Sequence, residues 1–433
     1  MLSNLVIAGK RVPRAAIAVA VLLFCIIALA HNGKKRVSSW ASILLPSGPD
    51  ADYTRGCVDT AGRRTRLLGG TPGFYYFENV WYRDNVFYMF GDDLPAQDAI
   101  MSGRTTLKVE KEEPKHLVPD VCLRKSTLWL NEGASDGWNG LWHYYHFAAE
   151  NILAGFASLA TTHWDTPIMP KQLVIPFWGD RGSWHDKWGM NEMVVDAVFG
   201  EDVIEPPQWA RLEKKGDGWV YFDRIAIVDR WAAHRKTPAA DQWNKMAIGI
   251  LGEKLQPHWF TAARNRLLDY FHIPPANKKT HRLAYINRQG TDRKLPDETH
   301  AELLKSLHGL SDKYNVEIAD LVLEDLSKEE QIRAIANSTI LLGIHGNGLT
   351  HEMWLRETAT VIEMFPPDTF LRDYETIATA LGHRYIAVRN DSIITPALWN
   401  AHPGEQHPEH THDGTKVALS VPFLTGIIRG IVA

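Results

Sequence analysis

The sequence predicts an α/β protein of two lobes facing a cleft, preceded by an N-terminal membrane anchor. Three observations predict it. The chain has 433 residues, more than one hydrophobic core supports. Strand-like and helical patterns alternate five times between 283 and 388, and residues 15–30 form an uninterrupted apolar run.

The apolar run follows Arg11 and Arg14 and precedes Lys34, Lys35 and Arg36, which marks it as a membrane-targeting element. An uncleaved anchor is the preferred reading, with a cleaved signal as the alternative, since Ala28-Leu29-Ala30 also fits a signal-peptidase site. On the anchor reading residues 1–14 are a short tail, 15–30 the span and 31–52 a stem. Composition is that of a globular protein, 45% hydrophobic and 23% charged, and a formal charge of -4 gives no reason to expect nucleic acid as a partner. Any anion site must therefore be local. Of three cysteines only Cys57 and Cys122 lie in the body, where they form one disulfide or remain two free thiols. Asn337 and Asn390 head formal glycosylation sequons, but both fall beside expected strands, where access is poor.

The first lobe, 53–255, opens on an aromatic stretch from 74 to 90 that reads as a hairpin turning at Arg83-Asp84-Asn85. Helical spacing follows at 142–159, then strands at 172–176 and 221–228 with a helix at 191–199 between them. A helix at 260–271 leads into the second lobe, 256–400, near His272-Ile-Pro-Pro. Its strands are LAYIN (283–287), VEIAD (316–320), TILLGI (339–344), TVIEMF (360–365) and YIAV (385–388). Ser327 and Glu330 form a capping box, and Gly382 ends the helix that starts near Asp373. Such alternation gives a parallel, doubly wound sheet, with ligands at the carboxyl ends of its strands. Residues 401–433 form a tail that can pack back on the first lobe.

Chemistry concentrates at those strand ends. His345-Gly346-Asn347-Gly348 follows TILLGI and precedes a helical stretch beginning at Leu349. Glycines let the backbone approach an anion, and free amides and the helix dipole favour negative charge. Arg288, Arg293 and Lys294 follow LAYIN, so both loops face one crevice, where a guanidinium can grip a diphosphate through two parallel hydrogen bonds. Glu363 interrupts TVIEMF near its end, placed to accept hydrogen bonds from ribose hydroxyls or to serve a structural role. His146 and Glu150, at i and i+4, share a helix face, so one can orient the other.

The blocks YINRQGTDRKL (285–295), GIHGNGLTHEMWL (343–355) and VIEMFPP (361–367) resemble, in composition and order, the signature blocks of glycosyltransferase family 61. Asn139, His146 and Glu150 are similar to that family's first-lobe pattern, although the Asn spacing departs from it. The resemblance implies a GT-B-like fold, two Rossmann-type lobes facing a cleft. It further implies an inverting transferase that takes a sugar, with xylose and N-acetylglucosamine favoured, from a UDP-sugar cosubstrate to a glycan or glycoprotein acceptor. By the same resemblance the body is lumenal, on a single-pass type II protein of the Golgi or endoplasmic reticulum membrane. Either His146 or Glu150 is then the base that takes the acceptor proton, and the sequence leaves the choice open. No cofactor is required on this reading and no metal is expected: the one Asp-x-Asp, Asp50-Ala-Asp52, lies in the stem, and the histidines from His402 to His412 lack a ligand spacing.

Two rivals remain. Gly133, Ser135 and Gly137 fit a serine-hydrolase nucleophile elbow, but the loop at 345–348 follows rather than precedes it, against the chain order of that fold. A glycan-binding protein that has lost turnover is the non-enzymatic alternative.

Overall fold

A computed structural model describes residues 6–7, 10–11, 57, 60, 62–113, 118–132, 140–161, 169–179, 181–236, 255–274, 280–397 and 414–433. The expected span at 15–30, the stem, Ser135, Asn139 and the histidine tract at 402–412 lie outside them. Met1–Arg55 and Gly56–Ala433 are separate units; in the former, Val6–Ile7 pairs antiparallel with Lys10–Arg11. Among the described residues no helix is long and apolar enough to cross a membrane.

The larger unit holds two sheets, as the alternation of patterns implies. In the first, β1 (Arg66–Thr71), β2 (Phe74–Arg83), β3 (Val86–Tyr88), β4 (Lys108–Glu110), β5 (Val121–Leu130), β6 (Gln172–Val174), β7 (Val203–Ile204) and β8 (Val220–Val228) lie in the order β4-β3-β2-β8-β5-β6-β7, with β1 paired to β2. Asp84 and Asn85 take positive φ (48° and 63°), which a two-residue hairpin between β2 and β3 requires. Such a short turn can join only antiparallel strands, so this sheet is mixed, with a meander of β1 to β3 beside the parallel set β8-β5-β6-β7. The hairpin expected at Arg83-Asp84-Asn85 is present, and the antiparallel meander is what this sheet adds to a Rossmann-type lobe. Cys57 and Cys122 are bridged, with Cα atoms 5.7 Å apart, and tie the start of this unit to β5.

The second sheet runs β10-β9-β11-β12-β13-β14, from β9 (His281–Ile286), β10 (Val316–Leu321), β11 (Ile340–Ile344), β12 (Thr360–Met364), β13 (Arg384–Arg389) and β14 (Ser392–Ile394). All pairs are parallel except β13 with β14. Side chains alternate between faces: Leu283 and Tyr285 pack into one core with helices Asp297–Tyr314 and Val421–Val432, whereas Ala284 and Ile286 join another that is continuous with the first sheet. Burial on both faces explains why the central strands β11 and β12 read as apolar runs, whereas the edge strand β10 carries exposed and half-exposed polar residues. The tail expected on the first lobe therefore docks its helix, Val421–Val432, on the second. Helix Thr261–Tyr270, assigned by its position to the second lobe, bridges the two: it packs on Met190–Val198, while Arg264 donates to Leu355 O (2.6 Å) and Ala336 O (2.8 Å).

The expected helix at 142–159 is a π-helix over His146–Leu153 continued by an α-helix over Ala154–Ala160. The stretch after Gly346 is a 3-10 helix, Asn347–Trp354. Ser327 and Glu330 form the expected capping box. Of the sequons, Asn337 is half-buried, while Asn390 is exposed on the turn between β13 and β14, so the expectation of poor access fails for Asn390.

Candidate active site

β5 and β8 are parallel and flush, Leu130 opposite Val228, so the polar pairs that follow them, Asn131-Glu132 and Asp229-Arg230, leave the sheet side by side. Asp229 is fully buried and accepts five hydrogen bonds, from Ser102 N and Oγ, Asn131 Nδ2, Trp231 N and Ala232 N. Arg230 is fully buried too. Its Nε donates to Glu132 (2.7 Å) and its Nη1 to Glu150, whose same oxygen meets His146 Nδ1 at 2.7 Å. Burial pushes the Glu132 carboxyl up to about 7 against the pull of Arg230. In this chain of four only His146 reaches the surface, with 18% of its side chain exposed. Arg230 Nη1 also stands 3.4 Å from His146 Nδ1, but the 2.7 Å contact to the carboxylate is the stronger, which makes Nδ1 a donor and leaves the lone pair on Nε2.

The second sheet supplies the other half. β9 is flanked by β10 on one side and β11 on the other, so the loops after β9 and β11 meet at a topological switch point, with Ile286 opposite Gly343. Arg288 Nη1 (3.0 Å) and Arg293 Nη1 (2.5 Å) both donate to the carbonyl of His345. Gly346 lies at φ +148°, and a Cβ there would collide with Arg288 Nη1 and come within 3.2 Å of Arg293 Nη1. Two guanidiniums thus converge on the apex of the glycine loop. Burial lowers the pKa of Arg288, the direction expected when a cation is desolvated before its anion arrives.

Other residues singled out from the sequence fall differently. Glu363 is fully buried, with one oxygen 2.5 Å from His345 Nδ1 and the other bonded to Tyr385 Oη. It braces His345 from within the sheet, the structural alternative of the sequence reading. Leu349 is also buried, and its amide donates to Gly346 O (2.9 Å), so neither its side chain nor its N–H is offered to a ligand. The His345 amide is likewise used, on Met364 O (2.9 Å). Gly348 is needed for packing, since a Cβ there would stand 3.0 Å from Leu323 Cδ1 and 3.1 Å from Ile286 Cγ2. Lys294 reaches Asp297 (3.3 Å) and lines an open cleft of about 520 Å³ with Gln289, Thr291 and Lys416, apart from the arginine pair.

Asn347 joins the halves. Its side-chain oxygen accepts the Tyr145 amide at 3.0 Å, one residue before His146. Tyr145 packs edge-on to Tyr374, and Tyr374 to His345, each at 5.4 Å, while Trp354 Nε1 donates to Tyr144 Oη at 2.8 Å. The His146–Glu150 pair and the arginine-glycine loop are thereby held side by side. Glu132, Arg230 and Tyr145 escaped the sequence reading, although a polar pair directly after each of two apolar strands, Asn131-Glu132 and Asp229-Arg230, was a usable signal. Among the described residues no group of three or more His, Cys, Asp or Glu side chains is placed to hold a metal ion.

A family model described as Glycosyltransferase 61 matches residues 144–362, half of the chain, and spans both parts of this site. The chain belongs to glycosyltransferase family 61. Similar proteins are the EGF domain-specific O-linked N-acetylglucosamine transferases of Gallus gallus (32% identity over 30% of this chain and 24% of the relative) and Drosophila melanogaster (29% over 40% and 33%). The protein O-linked-mannose beta-1,4-N-acetylglucosaminyltransferase 2 of Canis lupus familiaris is 33% identical over 21% of this chain and 16% of its own length. The matches thus span a third or less of these relatives.

Proposed function

We propose that this family 61 protein transfers N-acetylglucosamine from UDP-N-acetylglucosamine to a hydroxyl of a glycan or glycoprotein acceptor, with inversion. The observation that carries the reading is the Asn347–Tyr145 bond, because it sets a base on the first lobe against an anion-binding loop on the second. The names of the relatives favour N-acetylglucosamine over xylose as the sugar and a glycoprotein as the acceptor. The two sheets, with facing loops at their carboxyl ends, support a GT-B arrangement.

In this mechanism His146 Nε2 takes the acceptor proton as the hydroxyl oxygen attacks the anomeric carbon, and Glu150 holds the imidazole in the required tautomer. The bond from the anomeric carbon to the β-phosphate oxygen breaks, and its electron pair leaves with UDP. A single displacement from the opposite face inverts the centre. Arg288, Arg293 and the Gly346 backbone meet the charge on the departing diphosphate, in place of a metal ion. Asn347 and Gly348 hold that loop in place, Asn347 through Tyr145 and Gly348 through its close packing on Leu323 and Ile286. The disulfide and the apolar run at 15–30 support an uncleaved type II anchor in the Golgi or endoplasmic reticulum membrane, with the body lumenal.

The test is a panel of UDP-sugars with the full chain and its His146→Ala variant. UDP-N-acetylglucosamine should be turned over fastest, and the variant should lose about 100- to 10,000-fold in kcat with little change in UDP affinity. Undiminished turnover by the variant removes His146 from the chemistry.

A further inference from the structure

We propose that Glu132, which does not reach the cleft, sets the basicity of His146 through Arg230. The inference rests on His146 being the base and adds a residue that acts without touching either substrate. The geometry is a continuous buried line: Glu132 to Arg230 Nε at 2.7 Å, Arg230 Nη1 to Glu150, and Glu150 to His146 Nδ1 at 2.7 Å.

The charges along this line give it a function. One guanidinium and one carboxylate, Arg230 with Glu150, would form a neutral pair and leave a newly formed imidazolium as an uncompensated buried cation. The second carboxylate changes the sum to −1, so that proton uptake by His146 brings the cluster to zero, the state a buried site favours. Arg230 fixes the distance over which Glu132 acts, because a rigid planar fork holds both acids at once.

The other charged or titratable groups near His146 do not supply this effect. His143, on the preceding turn with its ring 4.9 Å away, is kept neutral by burial, its pKa lowered to about 3. Arg181, stacked 3.4 Å over Trp142, acts against a cation at His143. Asp229, behind Arg230, is already compensated by five donors and raises the pKa of Glu132. Tyr145 meets the His146 ring edge at 5.2 Å, and burial holds its phenol protonated. Glu132, raised by burial and held down by Arg230, is coupled to His146 through that guanidinium, so the two share macroscopic steps.

Histidine side-chain NMR on the full chain, comparing wild type with Glu132→Gln and Glu132→Asp, reads the effect without requiring turnover. The Gln variant keeps an acceptor for Arg230 Nε and removes only the charge. The His146 pKa should fall by about one unit in Glu132→Gln, the scale of one charge at moderate effective dielectric, and return towards wild type in Glu132→Asp. With the best donor of the panel, the acid limb of kcat should move to lower pH by a similar amount while the plateau falls about threefold and KM holds. An unmoved His146 titration, or a loss of kcat uniform across pH, overturns the proposal. Both can occur while His146→Ala remains inactive, so failure here is separable from failure of the transferase reading.

Discussion

The side-chain oxygen of Asn347 accepts the backbone amide of Tyr145 at 3.0 Å, a bond between residues 202 positions apart that fixes where the second sheet's glycine loop stands relative to His146. The Tyr145 amide is a donor that must be satisfied, and the side chain of Asn347, the first residue of the 3-10 helix, satisfies it without spending backbone.

Asn347→Ala should therefore act on chemistry more than on folding. Loss of one hydrogen bond costs about 1 kcal/mol of stability, whereas a displaced base costs up to about 100-fold in kcat. Thermal melts beside steady-state kinetics separate these. A variant with wild-type kcat would show that the two halves are positioned by other contacts.

Gly346→Ala is expected to damage the donor side specifically. The added methyl would collide with Arg288 Nη1 at a φ of +148°, which L residues rarely adopt, so the guanidinium or the loop must move. UDP affinity should drop at least tenfold, alongside a lower melting temperature from the strained backbone; retained affinity would mean that the loop does not touch the nucleotide.

Glu352 offers a test of stability against pH. It is fully buried, neither of its side-chain oxygens has a hydrogen-bond partner among the described residues, and burial, then Glu363 and Glu375, raise its pKa well above the usual carboxylate range. The native state therefore holds a proton that the unfolded chain releases near pH 4.5. The resulting stabilisation is complete below that pH and is lost progressively as pH rises towards the folded value. Glu352→Gln removes this loss, so its stability relative to wild type should grow from pH 4.5 to pH 8. Chemical denaturation at both values checks the sign, and a difference independent of pH contradicts it.

If the arginines supply the positive charge for the leaving diphosphate, chelation should not matter. Transfer measured after exhaustive treatment with EDTA is expected to stay within about twofold of the untreated rate, since backbone dipoles and cations act here as fixed electrostatic groups. Abolition by EDTA, with recovery on adding a divalent ion, would reassign that role.

Five of the second sheet's six strands were legible, the central ones because they are short apolar runs in a doubly buried environment, while the short β14 was not. TILLGI and TVIEMF appear as β11 and β12 to within a residue. The arginine-glycine convergence was legible too, as both loops leave neighbouring strands at a switch point. The bonds of Glu363 to His345 and Tyr385 were not legible, because both neighbours arrive from strands on either side. The part played by Glu132 and Arg230 depends on β5 and β8 being parallel and flush across 98 residues, a register that no local pattern encodes. The first sheet's antiparallel half was hidden for the same reason, although the Asp84-Asn85 turn announced one hairpin.

The central claim is that Arg288 and Arg293 bind the diphosphate of the donor. Calorimetric titration of UDP into the full chain and its Arg288→Ala and Arg293→Ala variants tests it most directly. Each substitution should weaken UDP by roughly 10- to 100-fold, the cost of a charge-assisted hydrogen bond, while uridine, lacking phosphate, should bind all three proteins alike. Unchanged UDP affinity in both variants would contradict the account.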